Sequence, residues 1–428
     1  MYRVVRPSLS KLIALLPVAD PPPTFEELEH NLSRACLPVT LRQNASGSRI
    51  RALLQEPSGT RRFDVEVTLT ELLPRYLELA HLRRDDLDAA LKSQFFLSVS
   101  CKLGRNPLAS LHAQVRMLAA LAPDAVAMLD VNALQAKAGD WLRDAASASV
   151  PPALTSFFSV HSVFGDGPKR RQTWLHTHGL HRMSSIELDI VGVRRREASA
   201  LAELINNVAR FFIDRGVPLP NTRFEAGNSL PLVWLPWEAG LQHVDAALGG
   251  EADRDADHGG ERGILFAPAK DSPERLEPPR CYAPVMEADP IFYVSPAETE
   301  RMQRLARERL SSFLALQGRF AKNRKWDFLV KLGIPSPRDG RRDSAGADGA
   351  EHLWFDVHQA TAKTVDATLV NQPYFVTGLR EGQRGTFDLR LLTDWTIDSP
   401  RGRYTPETVL QLERSLTKER IPTRPLLH

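Results

Sequence analysis

The chain of 428 residues has little cysteine. Cys36, Cys101 and Cys281 are odd in number and far apart, and there is no CxxC pair. This argues against a disulfide scaffold and fits a reducing compartment. Long apolar runs are also missing. Nothing approaches the ~18 apolar residues a membrane helix needs, so no membrane attachment is expected. One short run, Leu12 to Ala19, follows basic residues in the manner of a secretion signal. It is interrupted by Pro17 and runs into Asp20 and three prolines without a small-residue cleavage site, so a cytoplasmic protein is expected. Charge of one sign is lacking too. There are 55 Lys and Arg against 52 Asp and Glu, a net charge of +3. That argues against a nucleic-acid partner, which calls for clustered basic residues on one face. Several catalytic signatures are absent: no GxSxG elbow, no HExxH, no P-loop. The glycines of "GDGPKRR" lack the third glycine of a dinucleotide fingerprint and lead into a strand pattern rather than a helix.

What is present is an ordinary globular composition, 43% apolar, over a length suited to several domains. Residues 1–150 alternate strand and helix patterns. Thr24 with Glu27 has capping-box spacing. Phe63, Val65 and Val67 alternate with polar residues as in a half-buried strand. Asn106 followed by Pro107 is a strong helix start, and Leu108, Leu111, Val115, Leu118 and Leu121 follow at helical spacing up to Pro123. Residues 151–290 begin after a small-residue stretch. They read as strands around His161, around Trp174 to Leu180 and over Ile186 to Val193, then a helix ending at Gly216. The polar run 249–262 reads as a mobile loop or linker. Its Asp253, Asp255 and Asp257 begin like a calcium loop, but His258 stands where glycine is needed and Ile264 where glutamate is needed, so calcium is rejected. Residues 291–428 open with one helix from Ser295 to Phe320 and continue as closely spaced short strands. The expected class is α+β: N-terminal and middle α/β sandwich modules, then a helix and a small antiparallel β-barrel-like domain.

Two stretches carry resemblances. Phe328-Leu329-Val330-Lys331, Glu351-His352-Leu353-Trp354, Leu369-Val370-Asn371-Gln372-Pro373, Gly382 and Asp394-Trp395 resemble a bacterial domain of unknown function found alone in small YegJ-type proteins. The resemblance implies a small β-rich domain and no particular activity. His176, Thr177, Gly179, Leu180, Glu187 and Leu188 resemble the strand motif of Suppressor-of-fused-like bacterial domains. Many of those are antitoxin or immunity proteins, so this resemblance implies a protein partner, in its sharpest form a toxin.

The stretch "WLHTHGLHRMSSIELDIVG", Trp174 to Gly192, holds three of the twelve histidines within six residues. On a strand, His176 and His178 share one face, while His181 falls in the turn. His161 on the preceding strand and Glu187 on the following one are positioned to join them. Asp189 shares the face of Glu187, and two imidazoles with one or two carboxylates suit an open zinc or iron site. Cross-strand His–Glu pairing that only stabilises the sheet is the competing account. Candidate partner contacts are the basic loop Lys169, Arg170 and Arg171, and the aromatic residues Trp354 and Trp395, the last two being equally suited to a core. The leading expectation is a non-catalytic, multidomain protein that binds another protein and needs no cofactor. The alternative is a metal-dependent hydrolase using His161, His176, His178 and Glu187.

Overall fold

The computed structural model describes residues 1–428 apart from 5–7, 19–21, 45–49, 57–58, 70–81, 167–170, 228–229, 245–247, 288–294, 336–348 and 419–428. The chain forms two compact units, Met1–Ala146 with Ala153–Phe292, and Ser147–Pro152 with Tyr293–His428.

The first unit contains two mixed layers of helix and sheet. Its N-terminal sheet has seven strands: β1 (Ser10–Leu15), β2 (Val39–Gln43), β3 (Ile50–Glu56), β4 (Gly59–Leu69), β5 (Phe95–Cys101), β6 (Ala127–Asp130) and β7 (Gln135–Ala138). Their order is β2-β3-β4-β5-β1-β6-β7. The first part of the run that mimics a secretion signal lies in β1, hydrogen-bonded on both edges, with Leu12, Ile13, Ala14 and Leu15 all buried. The helix Pro107–Leu121 starts as its sequence dictates, with the Asn106 side chain accepting from the amide of Ala109 and Pro107 in the first turn. Its Leu111, Val115 and Leu118 enter the main core. Thr24 and Glu27 close the capping box of the helix Phe25–Arg34.

The second sheet comprises β8 (Ser159–Phe164), β9 (Gln172–His178), β10 (Glu187–Arg194), β11 (Phe224–Glu225), β12 (Pro231–Pro236) and β13 (Arg262–Pro268), in the order β11-β12-β13-β10-β9-β8, with β14 (Leu276–Glu277) paired to β13. β10 and β13 run parallel; β8, β9 and β10 are antiparallel. One sheet face packs on the helix Ala198–Arg215 through Leu175, Leu188, Ile190, Leu201, Leu204 and Val208, in the same core that holds Leu12 and Leu97 of the N-terminal sheet. The opposite face carries a second cluster around Trp174, Val191, Val233 and Phe266.

The run 249–262 corrects the linker expectation. It forms two 3-10 turns, Glu251–Asp253 and Ala256–His258, laid on that second face. Arg254 holds it down. Its Nη1 donates to Asp189 Oδ2 at 3.0 Å, and its guanidinium stacks over Trp174 and Trp237. Gly249 (φ +85°) begins the run, and a Cβ there would meet the Trp174 ring at 2.8 Å, so glycine is required.

The second unit has one antiparallel sheet of β15 (Asp327–Pro335), β16 (Ala350–Ala360), β17 (Thr364–Leu369), β18 (Arg384–Asp388), β19 (Leu392–Ser399) and β20 (Gly402–Tyr404), in the order β18-β17-β16-β15-β19-β20. The order is linear, so the sheet is open rather than a closed barrel, and the α+β class stands. The helix expected from Ser295 to Phe320 is two, Pro296–Glu308 and Leu310–Phe320. Arg309 (φ −97°, ψ 8°) leaves helical geometry between them. Phe313, Phe328, Phe355 and Trp395 are central to the core of this unit.

Candidate metal centre

Strand alternation and register place the histidines together. β8 and β9 pair with His161 opposite His176 and Ser159 opposite His178. His176 and His178 are two residues apart on one strand and so share a face with His161. The three rings converge: centroids lie 5.6 Å apart for His161–His176, 4.8 Å for His161–His178 and 4.9 Å for His176–His178. One nitrogen from each lies within 4.8 Å of the others. In a tetrahedral zinc–imidazole site with Zn–N near 2.0–2.1 Å, the ligand nitrogens are about 3.4 Å apart. His176 and His178 are buried, and His161 is half-buried.

A fourth imidazole comes from the run laid over the sheet. His258 Nε2 lies 3.4 Å from His176 Nε2, and the His258 ring is 5.4 Å from that of His178. His258 Nδ1 is 2.8 Å from Asp255 Oδ1. Trp174 lies beside both, its ring 4.1 Å from that of His176 and 4.8 Å from that of His258. Burial pushes the His176 imidazole far below its ordinary pKa, and the nearby His178, Arg262, His258 and His161 push the same way. His258 is lowered too, by burial and then by Arg262, against the opposing pull of Asp255 and Asp189. Both rings are therefore neutral near pH 7, the state in which imidazole binds metals. His176 Nδ1 is buried and has no hydrogen-bond partner.

Asp189 sits opposite His176 on the other edge of β9. It is fully buried and accepts from Arg262 Nη1 at 2.8 Å, Arg254 Nη1 at 3.0 Å and Trp174 Nε1 at 3.3 Å. Two acids, Asp189 and Asp255, offset two guanidinium groups around the histidines. The donor set itself is all nitrogen, which suits zinc and neighbouring first-row transition ions and not magnesium or calcium.

Glu187 does not join the histidines, contrary to its assignment from strand alternation. Its carboxylate is committed to the turn. It accepts from Thr177 Oγ1 at 2.7 Å, the Gly179 amide at 2.9 Å and the His181 amide at 3.0 Å. Thr177 lies on the face of β9 opposite the histidines, and its hydroxyl also accepts from the Leu188 amide at 2.8 Å. Gly179 (φ +106°) completes the motif, because a Cβ there would meet the Phe157 carbonyl at 2.8 Å. His181 is in the turn, where its Nδ1 accepts from the Ser8 amide.

Among the partner candidates, Lys169 and Arg170 lie outside the described residues. Arg171 is exposed next to the start of β9. Trp395 is fully buried and its Nε1 donates to the Ala306 carbonyl at 2.9 Å, so it belongs to the core and has no surface to offer a partner. Trp354 is half-buried beneath the Lys331 ammonium, 5.4 Å from the ring centre. Strand alternation puts Asp189 on the face of Glu187, toward the histidines, and there it lies, whereas His258, Asp255 and Arg262 were not legible as part of the site. His258 stands 82 positions from His176, and no spacing rule connects them.

Three family matches cover most of the chain. Residues 10–152 match the N-terminal part and residues 160–266 the C-terminal part of a protein family of unknown function, DUF4026. Residues 307–421 match an uncharacterised protein family conserved in bacteria, DUF2314. No curated protein and no solved structure matches the chain. No helix among the described residues is long and apolar enough to cross a membrane.

Proposed function

We propose that a chain joining both parts of DUF4026 to a DUF2314 region is a metalloprotein, with a transition-metal centre, zinc foremost, held by His161, His176 and His178. The observation that carries this is the convergence of three imidazoles from two adjacent strands, one of them, His176, with a buried, unpartnered nitrogen. A buried polar atom without a partner costs about 1–3 kcal/mol, and a metal bond removes that cost. Three protein ligands leave a fourth position for water or substrate, the arrangement of catalytic rather than structural zinc sites. The supported reaction class is hydrolysis, in which such an ion activates water and polarises the group attacked. The chain's own residues would hold the ion, keep His176 neutral by burial and place His258, backed by Asp255, against it. The test is elemental analysis of protein purified without chelator, followed by zinc titration. One equivalent of Zn, Fe, Co, Ni or Cu in the wild type, lost in His176→Ala, is the expected result. No bound metal and no zinc-induced rise in melting temperature would overturn the reading.

A second reading, binding of another protein in the manner of an immunity factor, has its own observation. Tyr374 and Phe375 lie side by side, 77% and 58% exposed. Their loop is fixed because Glu351 accepts from the amides of Tyr374, Phe375 and Val376 at 2.7–2.8 Å. Rigidly displayed aromatic residues are characteristic anchors of protein interfaces. A pulldown from a bacterial host, comparing the wild type with a Tyr374→Ser/Phe375→Ser variant, tests it. Equal recovery of every partner by both would count against it.

A further inference from the structure

The hydrogen bonds around His258 determine where the protons sit. Asp255 Oδ1 is 2.8 Å from His258 Nδ1, and a carboxylate oxygen that close requires a proton between them. Nδ1 of His258 supplies it. The Asp255 amide also points at the same nitrogen at 3.2 Å, the second half of a capping box; Nδ1 cannot both donate to Oδ1 and accept from the amide, and the shorter, charge-assisted contact to the carboxylate takes the proton. A neutral His258 then carries a lone pair on Nε2. His176 Nε2 faces it at 3.4 Å and must be the donor. This leaves His176 with its lone pair on Nδ1, the buried nitrogen that no protein group satisfies.

We propose that Asp255 and His258 are positioning residues that fix the tautomer of His176, so that His176 offers Nδ1 to the metal. The consequence for metal affinity rests on the metal-centre reading, but the tautomer itself does not. The arrangement is a carboxylate–histidine–histidine–metal chain, one imidazole longer than the usual carboxylate–histidine–metal pattern. The residues that supply it are held in place independently. Arg254, between Asp253 and Asp255, ties the run to Asp189 and Gly249. Asp253 Oδ2 accepts from the Gly249 amide at 2.8 Å. Asp255 Oδ1 also accepts from the Asp257 amide at 2.9 Å, which orients its carboxylate toward His258.

The first experiment uses the metal-free full chain, labelled with ¹⁵N-histidine, and reads each ring's tautomer from long-range ¹H–¹⁵N correlations. The expected wild-type result is His176 protonated on Nε2 and His258 protonated on Nδ1. His258→Ala should give mixed tautomers at His176. Asp255→Asn, whose amide oxygen still accepts, should keep the wild-type pattern, whereas Asp255→Ala should not. Wild-type His176 protonated on Nδ1, or an unchanged His176 signal in His258→Ala, would overturn the proposal. His258→Gln serves if His258→Ala does not fold. The second experiment is zinc titration of the same proteins. His258→Ala should weaken binding by roughly 10–100-fold while keeping one ion per chain. Loss as complete as in His176→Ala would make His258 a ligand and overturn the positioning role. A wild type that takes no zinc would end the metal reading and leave the tautomer result to stand or fall by itself.

Discussion

Arg182 and Asp130 form an ion pair with neither side chain exposed to solvent. Arg182 lies in the turn after β9, and Asp130 is the last residue of β6. Arg182 Nη1 donates to Asp130 Oδ1 at 2.8 Å and to Ser10 Oγ at 3.1 Å, and Nη2 donates to the Phe157 carbonyl at 2.6 Å. The pair therefore links the first sheet to the hairpin that carries His176 and His178. Removing one partner strands a buried charge, at a cost of about 3–5 kcal/mol. Arg182→Met should lower the stability of the first unit by that amount in denaturant unfolding. Arg182→Met combined with Asp130→Leu should recover part of the loss, because neither charge then remains. Equal losses in the single and double variants would show that the pair contributes through shape alone.

Glu187 separates a role in the hairpin from a role in metal binding. Its carboxylate is spread over three donors, and glutamine can satisfy them only through one oxygen and without charge. Glu187→Gln should cost about 1–3 kcal/mol in thermal or chemical unfolding and leave zinc affinity within twofold of wild type. Zinc binding abolished in a folded Glu187→Gln chain would restore it as a ligand.

The contrast between His176 and Glu187 shows what the sequence could and could not convey. Alternation correctly put His161, His176 and His178 on one face, because side-chain direction on a strand is a property of the backbone. It put Glu187 there by the same rule. A glutamate at a strand's first residue is long enough to turn back, however, and three donors in the hairpin held it. Helix starts at Thr24, Asn106 and Ser295 were readable because a cap is made within four residues. Arg182, Arg262 and His258 were not, because each finds its partner far along the chain or on another strand. The "GGEADRDADHGGER" run looked like a linker because nothing in its composition shows that Arg254 and His258 reach inward to Asp189 and His176.

His176 should also show a conflict between stability and function. A metal-binding residue keeps an unsatisfied nitrogen in the core until metal arrives. His176→Leu should therefore leave the metal-free first unit as stable as wild type or more so, by about 1 kcal/mol. Zinc at about 100 times its Kd should stabilise wild type by roughly 2.7 kcal/mol and His176→Leu not at all. Calorimetry with and without zinc tests both statements. A His176→Leu chain much less stable than metal-free wild type would mean that the imidazole has a structural task.

Asp394 gives the second unit a pH dependence of its own. It lies opposite Lys331 across β15 and β19, half-buried. Burial raises its carboxyl to about 6, against the lowering pull of the Trp395 amide, Lys331 and Arg301, with Glu407 adding to the rise. The ordinary value is 3.8, so the folded state holds the proton more tightly than the unfolded chain does. The stabilising contribution is full below about pH 4 and is lost as pH rises through 6. Lys331 is itself lowered from 10.5 by burial, against the raising pull of Asp394. The whole effect is on the order of 1 kcal/mol once partial solvent access is allowed for. Asp394→Asn keeps an oxygen for the Trp395 amide and has no charge to bury. Its advantage over wild type should grow between pH 4.5 and 7 and level off above. Parallel stability curves for the two proteins across that range would place the Asp394 carboxyl at its ordinary value and refute the account.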